Sequence, residues 1–218
     1  MISGYIRYNL KSYNPEGSRE FYMLEFTARK NLKLKVSNHQ MEILLGCLLG
    51  DAYITKLGKV QFEQSIKQLP YLMWKYNQFN NLAYGVPTFV SRYDVRYGKE
   101  YKSARFWLRQ YFRPLREQFY PEGSKIFPIK FSKYFTETAL AVWYMDDGNI
   151  YKGRNIKISA DNFDSESREV LKNLLFKKFG LESTIQNSGK IRISGKSVKD
   201  FLEIVKPHIH SNMLYKIL

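Results

Sequence analysis

Two stretches constrain this chain more than any other part of it: Leu44-Leu45-Gly46-Cys47-Leu48-Leu49-Gly50-Asp51-Ala52 and Leu140-Ala141-Val142-Trp143-Tyr144-Met145-Asp146-Asp147-Gly148. Each reads as a helix that is apolar all round, so each must be buried. Each also delivers a carboxylate at its C-terminal end, Asp51 and Asp147, and these stand 147 − 51 = 96 residues apart in a chain of 218. Ile43, Cys47 and Gly50 share one face of the first helix, and Leu44, Leu48 and Asp51 share the next. Gly46 and Gly50, four residues apart, permit a close approach of another backbone.

A carboxylate at a helix C-terminus opposes the helix dipole, and burial adds to the cost. A divalent cation would remove both penalties, because Mg²⁺ takes hard oxygen ligands, often one or two carboxylates together with phosphate oxygens. Two such helices packed through small residues would bring Asp51 and Asp147 together, a site suited to metal-assisted phosphodiester hydrolysis. The plainer alternative, two solvated helix ends, stays open at this level. Asp146 reads as a flanking acidic or capping residue, with an exchange of roles with Asp147 left open.

The elements between the two stretches repeat. Ser37 and Gln40 fit a capping box at the start of the first helix. After it come a strand in "KVQFEQSI", a helix over Leu69 to Leu82 with Gly85 just past its end, and two alternating segments, "TFVSRYDVRYG" and "YKSARFWLRQY". A helical stretch at Pro114 to Phe119 closes that unit. The second half has a strand in "NIKISAD", a helix over residues 165–179 capped by Asp164 or Ser165 and ended by Gly180, a hairpin turning at Asn187-Ser188-Gly189, and a helix from Lys196 to Val205 stopped by Pro207. Helix, strand, helix, two strands, helix is the order in each half. Residues 1–36 read as an extension of unclear role, irregular or weakly β, with a turn at Asn14-Pro15-Glu16-Gly17 and a short strand in "FYMLEF"; 37–135 and 136–218 read as two domains.

Charge indicates the partner. Thirty-five Lys and Arg against twenty Asp and Glu leave a formal charge of +15, which suggests a polyanion, either nucleic acid or an acidic membrane surface. Aromatic residues at 16% are too many for a disordered chain. No stretch approaches the ~18 consecutive apolar residues of a membrane span, and the N-terminus lacks the apolar run of a secretory signal. The single cysteine, Cys47, cannot form an internal disulfide, which fits a reducing, intracellular setting, organellar or microbial. His39, His208 and His210 make no metal constellation, and Trp143 and Tyr144 read as core.

The strands offer one polar face each. Arg92, Asp94 and Arg96 fall on one face of the first segment; Arg105, Trp107 and Arg109 lie opposite Ala104, Phe106 and Leu108 on the second. In the second half Lys157 and Ser159 alternate with Ile156 and Ile158, Thr184 and Gln186 flank Ile185, and Lys190 and Arg192 flank Ile191. An antiparallel sheet with its apolar face under helices can present such a face to a major groove, where Arg, Lys and Gln read base edges or hold phosphates. A solvated sheet face has the same pattern.

On the residues of the two apolar stretches, and on their half-chain spacing, residues 37–218 resemble a LAGLIDADG homing endonuclease of the single-chain, two-motif kind. The resemblance implies an α+β fold of two pseudo-symmetric αββαββα domains, each an antiparallel sheet backed by helices, with the motif helices packed at the domain interface. It implies a monomer that cuts both strands of double-stranded DNA across the minor groove, leaving short 3′ overhangs. It further implies that Asp51 and Asp147 bind Mg²⁺, with Mn²⁺ or another divalent cation able to substitute. Lys125 in "GSKIFP" and Lys216 in "SNMLYKIL" are similar to the basic residues the family keeps near each centre, and Gln61 resembles a polar strand residue that positions water or metal. The second-half counterpart of Gln61 is Lys157 or Ser159. Val142, where the family usually has a small residue, and the bulk of Trp143-Tyr144 weaken exact symmetry at the helix interface. Two other functions share the resemblance: an intron maturase acting on host intron RNA, and a DNA-binding protein that does not cut.

Overall fold

The computed structural model describes residues 24–27 and 33–218. The turn expected at 14–17 lies outside them, as does the start of the "FYMLEF" strand. An antiparallel pair opens the described chain, β1 (Leu24–Thr27) with β2 (Lys33–Val36).

The first repeat follows as α1 (Asn38–Leu49), β3 (Tyr53–Ile54), β4 (Val60–Ser65), α2 (Leu69–Gln78), β5 (Ala83–Asp94), β6 (Lys99–Leu108) and α3 (Arg113–Phe119). The second is α4 (Glu137–Asp147), β7 (Gly148–Tyr151), β8 (Asn155–Ile158), α5 (Ser165–Phe179), β9 (Ser183–Ile185), β10 (Ile191–Ile193) and α6 (Val198–Val205). Both are αββαββα. Their sheets have one topology, β3-β4-β6-β5 and β7-β8-β10-β9, with every pairing antiparallel.

Local chemistry sets the helix ends. Ser37 Oγ accepts from the Gln40 N–H at 3.1 Å while Gln40 Oε1 accepts from the Ser37 N–H at 3.1 Å, the reciprocal capping box. Asp164 Oδ1 accepts from the Ser167 N–H at 2.8 Å, and Gly180, at φ +68°, ends α5 in the left-handed region. Two expectations need correction. Helix α2 stops at Gln78, four residues early, and Gly85 (φ +72°) lies inside β5, where the register with β6 shifts between Tyr84 and Thr88. Arg96 is in the turn after β5, not on the strand, because the hairpin reverses before Lys99.

The two motif helices cross at the centre of one continuous core, and Ala139 to Met145 are fully buried. Their crossing points pair residues that the 96-residue offset makes equivalent. A Cβ on Gly46 would lie 2.5 Å from the Ala139 carbonyl oxygen and 2.7 Å from Val142 Cβ, and 142 − 46 = 96. A Cβ on Gly50 would meet Asp146 Cβ first, and 146 − 50 = 96. Val142 and Asp146 therefore occupy the space that the α1 glycines leave. The backbone repeat holds while the side chains at the axis are unequal. Trp143, Tyr144 and Cys47 are core residues, as their pattern indicated.

Candidate functional site

Each motif helix ends at a glycine, and each acidic residue sits at that end. Gly50 closes α1 with its N–H on the Gly46 carbonyl, leaving Asp51 as the next residue; Gly148 closes α4 with its N–H on the Tyr144 carbonyl, directly after Asp147. Because the helices cross through Gly46 and Gly50, their ends emerge side by side. Asp51 and Asp147 line one cleft of about 600 Å³ with Tyr53, Tyr120, Ser124, Lys125 and Asn162.

The carboxylates crowd each other. Burial pushes the Asp147 carboxyl up to about 7, and the neighbouring Asp51 and Asp146 charges add to the rise, while Lys125 and Lys216 oppose it. Lys125 is nearly buried, with its ammonium 4.6 Å from the centre of the Phe163 ring. Burial lowers its pKa to about 8 against the pull of Asp147, then Asp51 and Asp146. Lys216 donates from Nζ to the Asp146 carbonyl at 3.0 Å, and Tyr144 Oη donates to the Lys216 carbonyl at 2.6 Å, which docks the C-terminal segment against α4. Burial lowers the Lys216 pKa too.

Gln61 is not the strand residue that reaches Asp51. On β4 the inward positions are Val60, Phe62 and Gln64, so Gln61 and Glu63 point to the opposite face, where Gln61 Nε2 donates to Glu63 at 3.0 Å. Gln64 Nε2 donates to Asp51 Oδ2 at 2.8 Å, and lies 3.4 Å from Asp146 Oδ1. Asp146 in turn accepts from Lys75 Nζ at 2.6 Å, with 1% of the lysine side chain and 0% of the aspartate side chain exposed. Burial pushes the Asp146 carboxyl up to about 6 against the Lys75 charge that pulls it down. Sequence reasoning passed over Lys75 and Gln64. Lys75 had a legible signal, since it lies on the apolar face of α2, four residues from Tyr71 and three from Leu72, both buried.

The cleft suits a divalent cation by its donor chemistry. Two like-charged carboxylates lining one cleft gain from a cation beside them. Among the described residues no group of three or more His, Cys, Asp and Glu side chains is placed to hold a metal. A cation at Asp51 or Asp147 would therefore complete its shell with water or phosphate oxygens, the habit of Mg²⁺.

The sheet residues separate into free and engaged. In the second sheet Asn149, Lys157, Arg192 and Thr184 lie opposite one another across four strands and form one row on one face. Gln186 and Lys190 close the β9–β10 hairpin by a backbone hydrogen bond of 2.9 Å, and the Ser159 N–H donates to the Asp147 carbonyl at 3.1 Å. In the first sheet Arg105 stands across from Glu63 and Thr88. Arg92 is held by Glu63, Arg96 by Asp94 at 3.0 Å, and Arg109 Nε donates to the Ala83 carbonyl at 3.2 Å. No described helix is long and apolar enough to cross a membrane.

Similar proteins share this architecture. The model of the LAGLIDADG DNA endonuclease family matches residues 41–201. The probable intron-encoded endonuclease 1 of Wickerhamomyces canadensis is 31% identical over 199 residues, spanning 84% of this chain and 85% of that protein. The cytochrome b mRNA maturase bI2 of Debaryomyces hansenii is 27% identical over 202 residues, spanning 86% and 76%. Among solved structures, the homing endonuclease I-WcaI bound to its DNA recognition sequence matches with a TM-score of 0.75 at 30% identity, over 84% of this chain and 87% of that one.

Proposed function

This chain belongs to the LAGLIDADG DNA endonuclease family, and from that premise we propose that it is a site-specific, monomeric double-strand DNA endonuclease that uses Mg²⁺. The observation that carries the proposal is the pair of carboxylates, Asp51 and Asp147, delivered by equivalent helix ends into one cleft beside a buried lysine. Asp51 and Asp147 are the cation ligands. A bound divalent cation would supply charge neutralisation at the scissile phosphate and a more acidic attacking water.

The chain's own groups do the rest. Lys125, held near pKa 8, faces Asp147 across the cleft and is placed to stabilise charge on a phosphate or to exchange a proton with hydrolytic water. Lys216 is fixed by its bond to the Asp146 carbonyl and supplies the second positive charge. The row Asn149, Lys157, Arg192 and Thr184, with Arg105 on the other sheet, faces the DNA. The family's pattern of short 3′ overhangs belongs to the same reading.

A supercoiled plasmid carrying the intron-homing target, incubated with and without Mg²⁺, tests it. Linear product that requires the cation is expected. Asp51→Asn or Asp147→Asn is expected to abolish double-strand cleavage while DNA binding persists; full activity in either variant overturns the catalytic assignment. The similarity to a protein named as an mRNA maturase favours one second reading, a splicing cofactor for the host intron RNA. Splicing rescue without any plasmid cleavage would select it.

A further inference from the structure

The Lys75–Asp146 ion pair has no counterpart in the simple picture of two equivalent half-sites. It is wholly buried, lies directly behind Asp51, and spans the two repeats: Lys75 comes from α2 and Asp146 from α4. The Asp146 carboxylate also lies within 3.4 Å of Gln64 Nε2 and 3.5 Å of the Asp51 N–H. Gln64 is shared, since the same Nε2 donates to Asp51 Oδ2 at 2.8 Å.

A buried ion pair gives little net stability over two apolar side chains of similar volume, so the pair is poorly explained as glue between the repeats. Placement explains it better. Position 146 is the equivalent of Gly50, and Asp146 fills the gap that Gly50 leaves. The carboxylate can stand there because Lys75, lying 4.4 Å from the centre of the Tyr71 ring, supplies the opposing charge. Among the described residues no such brace stands behind Asp147, on which the charged side chains acting from other elements are Asp51, Lys125 and Lys216.

We infer that Lys75 and Asp146 are positioning residues that lock Gln64, and through it the Asp51 carboxylate, into a cation-ready geometry that the Asp147 side lacks. The two half-sites are then unequal, with the Asp51 side prearranged. The inference rests on the proposed cation site and deepens it.

The test is Mn²⁺ affinity, measured by titration calorimetry on the full chain without DNA, in two backgrounds. Asp147→Asn leaves the Asp51 side, and Asp51→Asn leaves the Asp147 side. Adding Gln64→Leu, or the paired exchange Lys75→Met with Asp146→Leu, is expected to weaken Mn²⁺ binding on the order of tenfold in the first background, the usual cost of losing an outer-shell partner. Less than a twofold change is expected in the second. The paired exchange avoids leaving a lone buried charge, and thermal melts of every variant separate site loss from unfolding. Equal losses in both backgrounds, or no binding in either, overturn the brace. Plasmid cleavage by the parent protein is scored separately, so a parent that cuts with Mg²⁺ keeps the nuclease reading even when the brace fails.

Discussion

Asp147 carries the pH behaviour of the cleft. Its carboxyl, raised to about 7 by burial and by Asp51 and Asp146, must lose its proton to bind a cation. The raised value means that the protonated form persists up to near neutral pH, so proton and cation compete there. The Asp147 proton alone is expected to lower cation affinity about tenfold per unit below about pH 7 and to cease to matter about a unit above it, where loss of the Lys125 proton near pH 8 favours the cation further. Lys125 and Lys216 remain positively charged as pH drops and do not reverse that sign. Mn²⁺ titrations of Asp51→Asn between pH 5.5 and 8.5 check it; because that exchange removes the Asp51 charge that helps raise Asp147, the fall is expected to begin below pH 7 in this variant. Affinity constant down to pH 5.5 would show that Asp147 titrates as an ordinary carboxylate. At this scale the sequence exposed Asp51 and Asp147, because a helix end, a glycine and an acid are adjacent in the chain. It did not expose Gln64 in place of Gln61: three residues on one strand exchange faces, and only the inward position meets α4.

The motif helices set the distance between Asp51 and Asp147. Gly46 and Val142 meet at their crossing, and Gly46→Ala would place its Cβ 2.5 Å from a backbone oxygen that cannot swing aside. A loss of about 1–3 kcal/mol is expected, read as a lower midpoint in denaturant unfolding. Adding Val142→Ala removes the Cγ1 contact at 3.0 Å but keeps the Cβ at position 142, 2.7 Å away, and the Ala139 carbonyl, so the double variant is expected to recover only a small part of the loss. Full recovery would show that the side chain alone sets the approach. Helix α5 was legible in full, from Asp164 to Gly180, since both of its ends are local capping chemistry. The first strand of each repeat was not. Strand β3 is two residues long, and β7 starts at Gly148 with no linker after α4, so neither has room to show an alternation.

Over the whole molecule the excess of fifteen positive charges is offset locally on the polar face of the first sheet. Glu63 holds Arg92 and accepts from Ser103 at 2.6 Å, and it stands across the β4–β6 pairing from Arg105. A DNA duplex approaching this sheet meets an arginine already partnered by a carboxylate. Arg192, exposed in the Asn149–Lys157–Arg192–Thr184 row of the second sheet, has no acidic residue in that row. The two sheets are therefore expected to differ in how their arginines contribute to the salt dependence of DNA binding. Loss of one phosphate contact lowers the slope of log K against log[salt] by about 1, so Arg192→Ala is expected to reduce the slope by about that amount. Arg92→Ala is expected to change it less, because the arginine removed was neutralised beforehand. Glu63→Gln should act in the opposite direction, releasing Arg92 to the backbone, steepening the slope and tightening binding to any duplex at low salt. Fluorescence anisotropy on a labelled duplex across a salt series measures all three variants. Equal slopes for Arg92→Ala and Arg192→Ala would mean that DNA displaces Glu63 from Arg92 at no cost.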